Sequence, residues 1–93
     1  MVVGILRVSL AIFEAWSLKD KRRVVLRLKD QLSAKFNVSV AEVDDLDLRQ
    51  RAVLGIVMVA NERRFAESCL HKIVDALRRQ GQASLLDYQL EFL

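Results

Sequence analysis

The 93-residue chain has no proline, three glycines, and one each of cysteine, histidine and tryptophan. Each scarcity removes a class of protein. Without proline there is no polyproline segment for a groove to read. Cys69, alone, cannot form an intramolecular disulfide, which fits a reducing compartment. A single His and a single Cys do not make a zinc site. Three scattered glycines leave no glycine-rich phosphate loop and no nucleophile elbow. No apolar run is long enough to span a bilayer, because V-V-G-I-L-R-V-S-L-A-I-F is short and is broken by Arg7. It has neither the basic start nor the small-residue cleavage site of a secretion signal. The expectation is a cytoplasmic protein without membrane partner, metal or cofactor.

What is present is enough for one core. At 53% hydrophobic and 29% charged residues the chain folds as a single domain over 1–93. The net charge of +3 is only mildly basic, short of a dedicated nucleic-acid binder. Its distribution is uneven: seven of the fifteen Lys and Arg fall within residues 17–35, against only Asp20 and Asp30.

Periodicity divides the chain into six elements. Residues 2–13 alternate, with Leu6, Val8, Leu10 and Ile12 to one side, which predicts a strand with one buried face. Ser17 is a helix N-cap with Asp20 three residues on, and Leu18, Val25, Leu28, Leu32 and Phe36 then recur at helical spacing. V-S-V-A-E-V at 38–43 predicts a second strand, and 44–50 a polar loop. R-A-V-L-G-I-V-M-V-A at 51–60 is apolar on both faces, as a central strand is. Asn61 is expected to cap a second helix carrying Phe65, Cys69, Ile73 and Leu77, with Gly81 as the residue that ends it. A last strand points Leu86, Tyr88, Leu90 and Phe92 inward.

The order β-α-β-β-α-β predicts an α+β fold: a ferredoxin-like sandwich with a four-stranded antiparallel sheet and two helices on one face. The other face is left open. Val53, Val57 and Val59 lie at its centre without an aromatic among them, so base stacking there is not expected and a homodimer interface is.

Catalytic and metal-binding patterns are thin. Glu42, Asp44, Asp45 and Asp47 have neither the glycine nor the closing Glu of a calcium loop. Cys69 falls on the apolar stripe of the second helix, and His71 points away from it toward Glu67 or Asp75. No catalytic residue is assigned.

The basic stretch S-L-K-D-K-R-R at 17–23 is harder to treat as a solvated face. A helix N-terminus is already partly positive, so each cation there costs about 0.3–1 kcal/mol. The first and third strands are expected to lie side by side and run in the same direction, so that both helices start at one end of the domain. Ser17, Lys19, Lys21, Arg22, Arg23, Asn61, Arg63 and Arg64 then form a composite anion site suited to RNA phosphates.

S-L-K-D-K-R-R at 17–23, F-N-V-S-V-A-E-V at 36–43, D-L-x-Q-R-A at 47–52, L-G at 54–55 and Asn61 together resemble the YlxP-like family of small bacterial proteins. The resemblance spans nearly the whole chain and implies a ferredoxin-like fold with no assigned enzymatic activity. Members are commonly encoded among genes for translation initiation and ribosome maturation, which implies an RNA or ribosomal-particle partner. The family pattern usually has tryptophan where this chain has Arg49, so no aromatic role is carried over to that loop. The sequence thus points to a non-enzymatic accessory protein acting through a basic end. The alternatives are a purely structural homodimer and an acylphosphatase-like enzyme using Arg22 or Arg23 with Asn61.

Overall fold

The computed structural model describes residues 1–93. The elements are β1 (Val2–Ala11), α1 (Leu18–Lys35), β2 (Ser39–Asp44), β3 (Arg51–Ala60), α2 (Arg63–Arg79) and β4 (Ser84–Phe92). The sheet order is β2-β3-β1-β4 and every neighbouring pair is antiparallel. Leu6, Val8 and Leu10 of β1 and Leu54, Ile56 and Met58 of β3 meet the inner stripes of both helices in one core. The expected architecture is the observed one.

One inference drawn from that architecture is overturned. β1 and β3 run antiparallel, with Val2 opposite Ala60 and Ala11 opposite Arg51. The first crossover returns the chain in the direction of β1, and the β2–β3 hairpin then reverses it once more. α1 therefore begins at the Ala11 end of the sheet, and α2 at the Val2 end.

Local chemistry accounts for the helix ends. The Asp20 amide donates to Ser17 Oγ at 3.0 Å, and the Trp16 amide donates to Asp20 Oδ2 at 3.1 Å, a reciprocal cap. α2 is capped at Glu62, one residue later than expected, with no side-chain bond to its first amides, so Asn61 is not its cap. Gly81 is not the helix stop either, since no glycine has positive φ. The side chain of Gln80 does that work. Its Nε2 donates to the carbonyls of Leu77 and Ala83, and its Oε1 accepts from the amides of Gln82 and Ala83.

Two irregularities shift side chains between faces. The β1–β4 register slips between Ser9 and Leu10, so Leu85, rather than Leu86, packs on the core, and Leu86 is exposed. A second slip between Glu42 and Asp44 brings Val43 over β3, where a Cβ on Gly55 would lie 3.0 Å from it.

Candidate nucleic-acid interface

Ala11 pairs with Arg51 on one side and Ser84 on the other. The β1–α1 loop, the first turns of α1, the β2–β3 loop and the α2–β4 loop therefore converge at one end of the sheet. Lys19, Arg22, Arg23 and Arg27 are exposed there, and none has a carboxylate within ion-pair distance.

Lys21 does not join them. It is 1% exposed and takes a place in the inner stripe with Val25, Leu28 and Leu32. Its Nζ donates to the carbonyls of Asp45 at 2.9 Å, Leu46 at 3.2 Å and Arg51 at 3.2 Å. Glu42 Oε2 sits 2.7 Å away and has no other partner. An ammonium has three protons, so the carbonyls take them and the carboxylate is held by charge. Lys21 is thus unavailable to an external anion. It joins the three most distinctive stretches of the sequence: Lys21 from the first, Glu42 from the second, and the Arg51 carbonyl from the third.

The acidic residues of the hairpin are divided among different cations. Besides Glu42 on Lys21, Asp44 Oδ2 pairs with Arg7 at 2.9 Å and Asp45 Oδ2 with Arg51 at 3.8 Å. The Asp45 amide and the Arg7 guanidinium hold the Asp44 carboxyl below the usual carboxylate range.

At the opposite end, Arg63 lies over the Phe92 ring at 4.7 Å, and Arg64 is exposed beside Glu67 and His71. Asn61 belongs to that end as well. The expected eight-residue anion site is therefore two groups at opposite ends, Ser17 through Arg23 at one and Asn61, Arg63 and Arg64 at the other. For the same reason Arg22 or Arg23 does not meet Asn61, and the acylphosphatase-like pair is not assembled.

The sheet face also needs correction. Val57 and Val59 are exposed, but Val53 is 4% exposed and is not available to a partner. Arg7 lies opposite Gly55 and Asp44 opposite Val53, so their ion pair crosses β3 over that stretch.

The sequence reading missed the aromatic residues of the β1–α1 loop. Phe13 is 66% exposed and Trp16 73% exposed, whereas Ile12 and Ala15 between and beside them are buried. One signal was available. A large apolar residue just before an N-cap ordinarily packs on the fourth helical residue, and here that residue is Lys21, which offers Trp16 no apolar partner. Phe13, Arg23 and Arg27 share a cleft of about 410 Å³ with Glu14, Asp20, Gln82 and Ser84.

This arrangement can hold anionic groups along the outer side of α1, with flat apolar surfaces alongside. No group of three or more His, Cys, Asp or Glu is placed to hold a metal ion. No helix is long and apolar enough to cross a membrane.

Comparison with known folds gives the class first. A de novo designed protein with a ferredoxin fold, solved by solution NMR, superposes with a TM-score of 0.63 at 16% identity over 98% of this chain and 86% of its own. That likeness concerns the fold alone. The family described as "Protein of unknown function (DUF503)" matches residues 3–90, and the chain belongs to it. It is 34% identical over 73 residues to the uncharacterized protein YlxP of Bacillus subtilis (strain 168), spanning 78% of this chain and 79% of that protein.

Proposed function

We propose that this protein is a non-enzymatic accessory factor of the cytosol that binds RNA, free or within a ribonucleoprotein particle, through the end of the domain where α1 begins. The observation that carries the reading is the set of unpaired cations Lys19, Arg22, Arg23 and Arg27 on a helix whose first turn holds a single acid, Asp20. Asp20 is engaged in the cap. Lys19 is opposed by the helix dipole, and Lys19, Arg23 and Arg27, four residues apart in turn, repel one another unless an anion lies between them. RNA supplies phosphates in series, and Arg matches their oxygens as a fork. With α2 at the other end, the site is smaller than the sequence implied and rests on α1 alone. Ribosomal RNA is the first ligand to test, given the translation-linked setting that the family resemblance implies.

Binding to RNA is expected to fall with salt by about 0.7 log units per tenfold for each phosphate contacted on a single strand, or about 0.9 on a duplex. Changing Arg22 and Arg23 together to Glu abolishes it at low salt and does not lower the melting temperature of the protein, because both positions are exposed and acids suit the start of a helix. Filter binding and thermal melts of parent and double variant check this. A double variant that binds as well as the parent overturns the reading, as does a parent with no affinity for RNA, ribosomal particles or a simple polyanion.

A second reading, compatible with the first, is favoured by the open sheet face. Val57 and Val59 are exposed there, rimmed by Asp87, Gln89 and Glu91, the pattern of an apolar patch covered by a second copy. Val57→Glu is expected to shift a homodimer to monomer in light scattering at micromolar concentration. A parent that is monomeric at high concentration removes this reading.

A further inference from the structure

We infer, resting on the RNA-binding reading above, that the ligand is single-stranded and that its bases stack on Phe13 and Trp16. In the β1–α1 loop Ala15 is turned inward between two aromatic side chains that are turned outward. Ala15 and Ile12 are buried, while Phe13 and Trp16 are mostly exposed. Burial of apolar area alone would favour the reverse.

The loop is not loose. The Ile12 amide donates to the Gln50 carbonyl at 3.0 Å, and Gln50 Nε2 donates to the Phe13 carbonyl at 3.1 Å. The Trp16 amide is bound by Asp20, and the Trp16 carbonyl accepts from Arg49 Nη1 at 3.1 Å. The backbone of each exposed aromatic is therefore fixed before any ligand arrives, which lowers the ordering cost of binding. Aromatic faces on a held backbone, beside cations that track a phosphate chain, are the parts of a sequence-tolerant single-strand site.

The charge beside the aromatics selects among occupants. Phe13 shares its cleft with Arg23 and Arg27 and with the carboxylates of Glu14 and Asp20; Asp20 is bound to the Trp16 amide, and neither Arg is ion-paired, so both remain free for a phosphate. A duplex keeps its base faces stacked internally and cannot offer them to Phe13 or Trp16. An anionic membrane would ask for an apolar helix side, and that of α1 is already buried in the core.

Trp16 is the only tryptophan, so its fluorescence reports this loop without labelling. Three probes are titrated into the full chain: a short single-stranded RNA of mixed sequence, the same RNA as a duplex, and inorganic polyphosphate. The single strand is expected to quench Trp16, and the duplex and polyphosphate to leave its emission unchanged. By anisotropy of the labelled single strand, Phe13→Ala and Trp16→Ala each weaken binding roughly five- to a hundred-fold, as loss of one stacked base does. Trp16→Phe retains most of it. Polyphosphate affinity, read by competition, is unchanged in all three variants, which also shows that they remain folded. If single strand, duplex and polyphosphate bind alike and the aromatic variants match the parent, stacking is wrong while the anion site of the proposed function stands. If nothing binds, both fail. A blue shift of Trp16 with phosphatidylglycerol vesicles, without quenching by RNA, assigns the loop to a membrane surface and overturns the inference.

Discussion

Replacing Lys21 with alanine is expected to destabilise the fold by about 3–5 kcal/mol, the range for removing one partner of a buried ion pair. Two deficits add. Glu42 loses its only cation, with its side chain 13% exposed. The carbonyls of Asp45, Leu46 and Arg51 lose a shared donor. The second loss falls on a turn that is already strained, because Asp45 has φ of 55° in a loop without glycine. Lys21 grips the carbonyl of that residue and of the next, and so holds the left-handed turn in place.

A double variant separates the two losses. Lys21→Met with Glu42→Gln removes the orphaned charge but leaves the carbonyls without their donor. It is expected to recover part of the stability and not all. Hydrogen exchange should show lost protection at the Leu48 amide, which donates to the Asp45 carbonyl at 3.1 Å. Urea unfolding of parent, single and double variants gives the magnitudes. A Lys21→Ala protein within about 0.5 kcal/mol of the parent, the ordinary scale of surface substitutions, would mean that Lys21 is not a buried tie in solution.

The burial of Lys21 resolves part of the oddity of the S-L-K-D-K-R-R stretch. One of its four cations is structural, and its position among Leu18, Val25, Leu28 and Leu32 was visible in the helical spacing. Its identity hid it, because a lysine in an apolar stripe reads as solvated until a partner is known. Glu42, that partner, lies on another element, and no periodicity connects them. The same limit applies elsewhere. The alternation in β1, the apolar run of β3 and the stripe of α1 were legible because each is a local pattern. The end at which α2 starts depends on counting chain reversals through the hairpin, and miscounting by one joined two sites that the fold separates. The bulge that turns Leu85 inward and Leu86 outward arises from pairing with β1. Gln80 ends α2 through four bonds to residues on both sides of it, which no spacing in the sequence marks. The open-face alternation correctly exposed Val57 and Val59. It failed at Val53, where a bond between two other strands, Arg7 with Asp44, passes over the site.

Leu28→Ala is expected to cost about 2–5 kcal/mol, through lost burial and the space left behind. Leu28 is 1% exposed and lies on the inner stripe with Lys21, Val25 and Leu32, at alternating spacings of four and three residues. It also borders a groove of about 400 Å³ between the C-terminal parts of α1 and α2, lined by Leu32, Ala76 and Leu77. Space opened next to a groove can fill or collapse more readily than space inside a closed core. The loss should therefore fall nearer the lower figure than that of Leu54→Ala, which empties the centre of β3. Arg27→Ala, one position before Leu28 and on the outer side of the helix, should change stability by no more than about 0.5 kcal/mol. These variants also test the interface. The rotation of α1 that turns Leu28 into the core is the one that turns Arg22, Arg23 and Arg27 to solvent. Urea unfolding with similar midpoints for Leu28→Ala and Arg27→Ala would mean that α1 is rotated otherwise. The cations would then not form one outward surface, and the proposed RNA contact would lose its geometric basis. A large loss for Leu28→Ala with none for Arg27→Ala fixes the phase of the helix and leaves those arginines free to meet a phosphate chain.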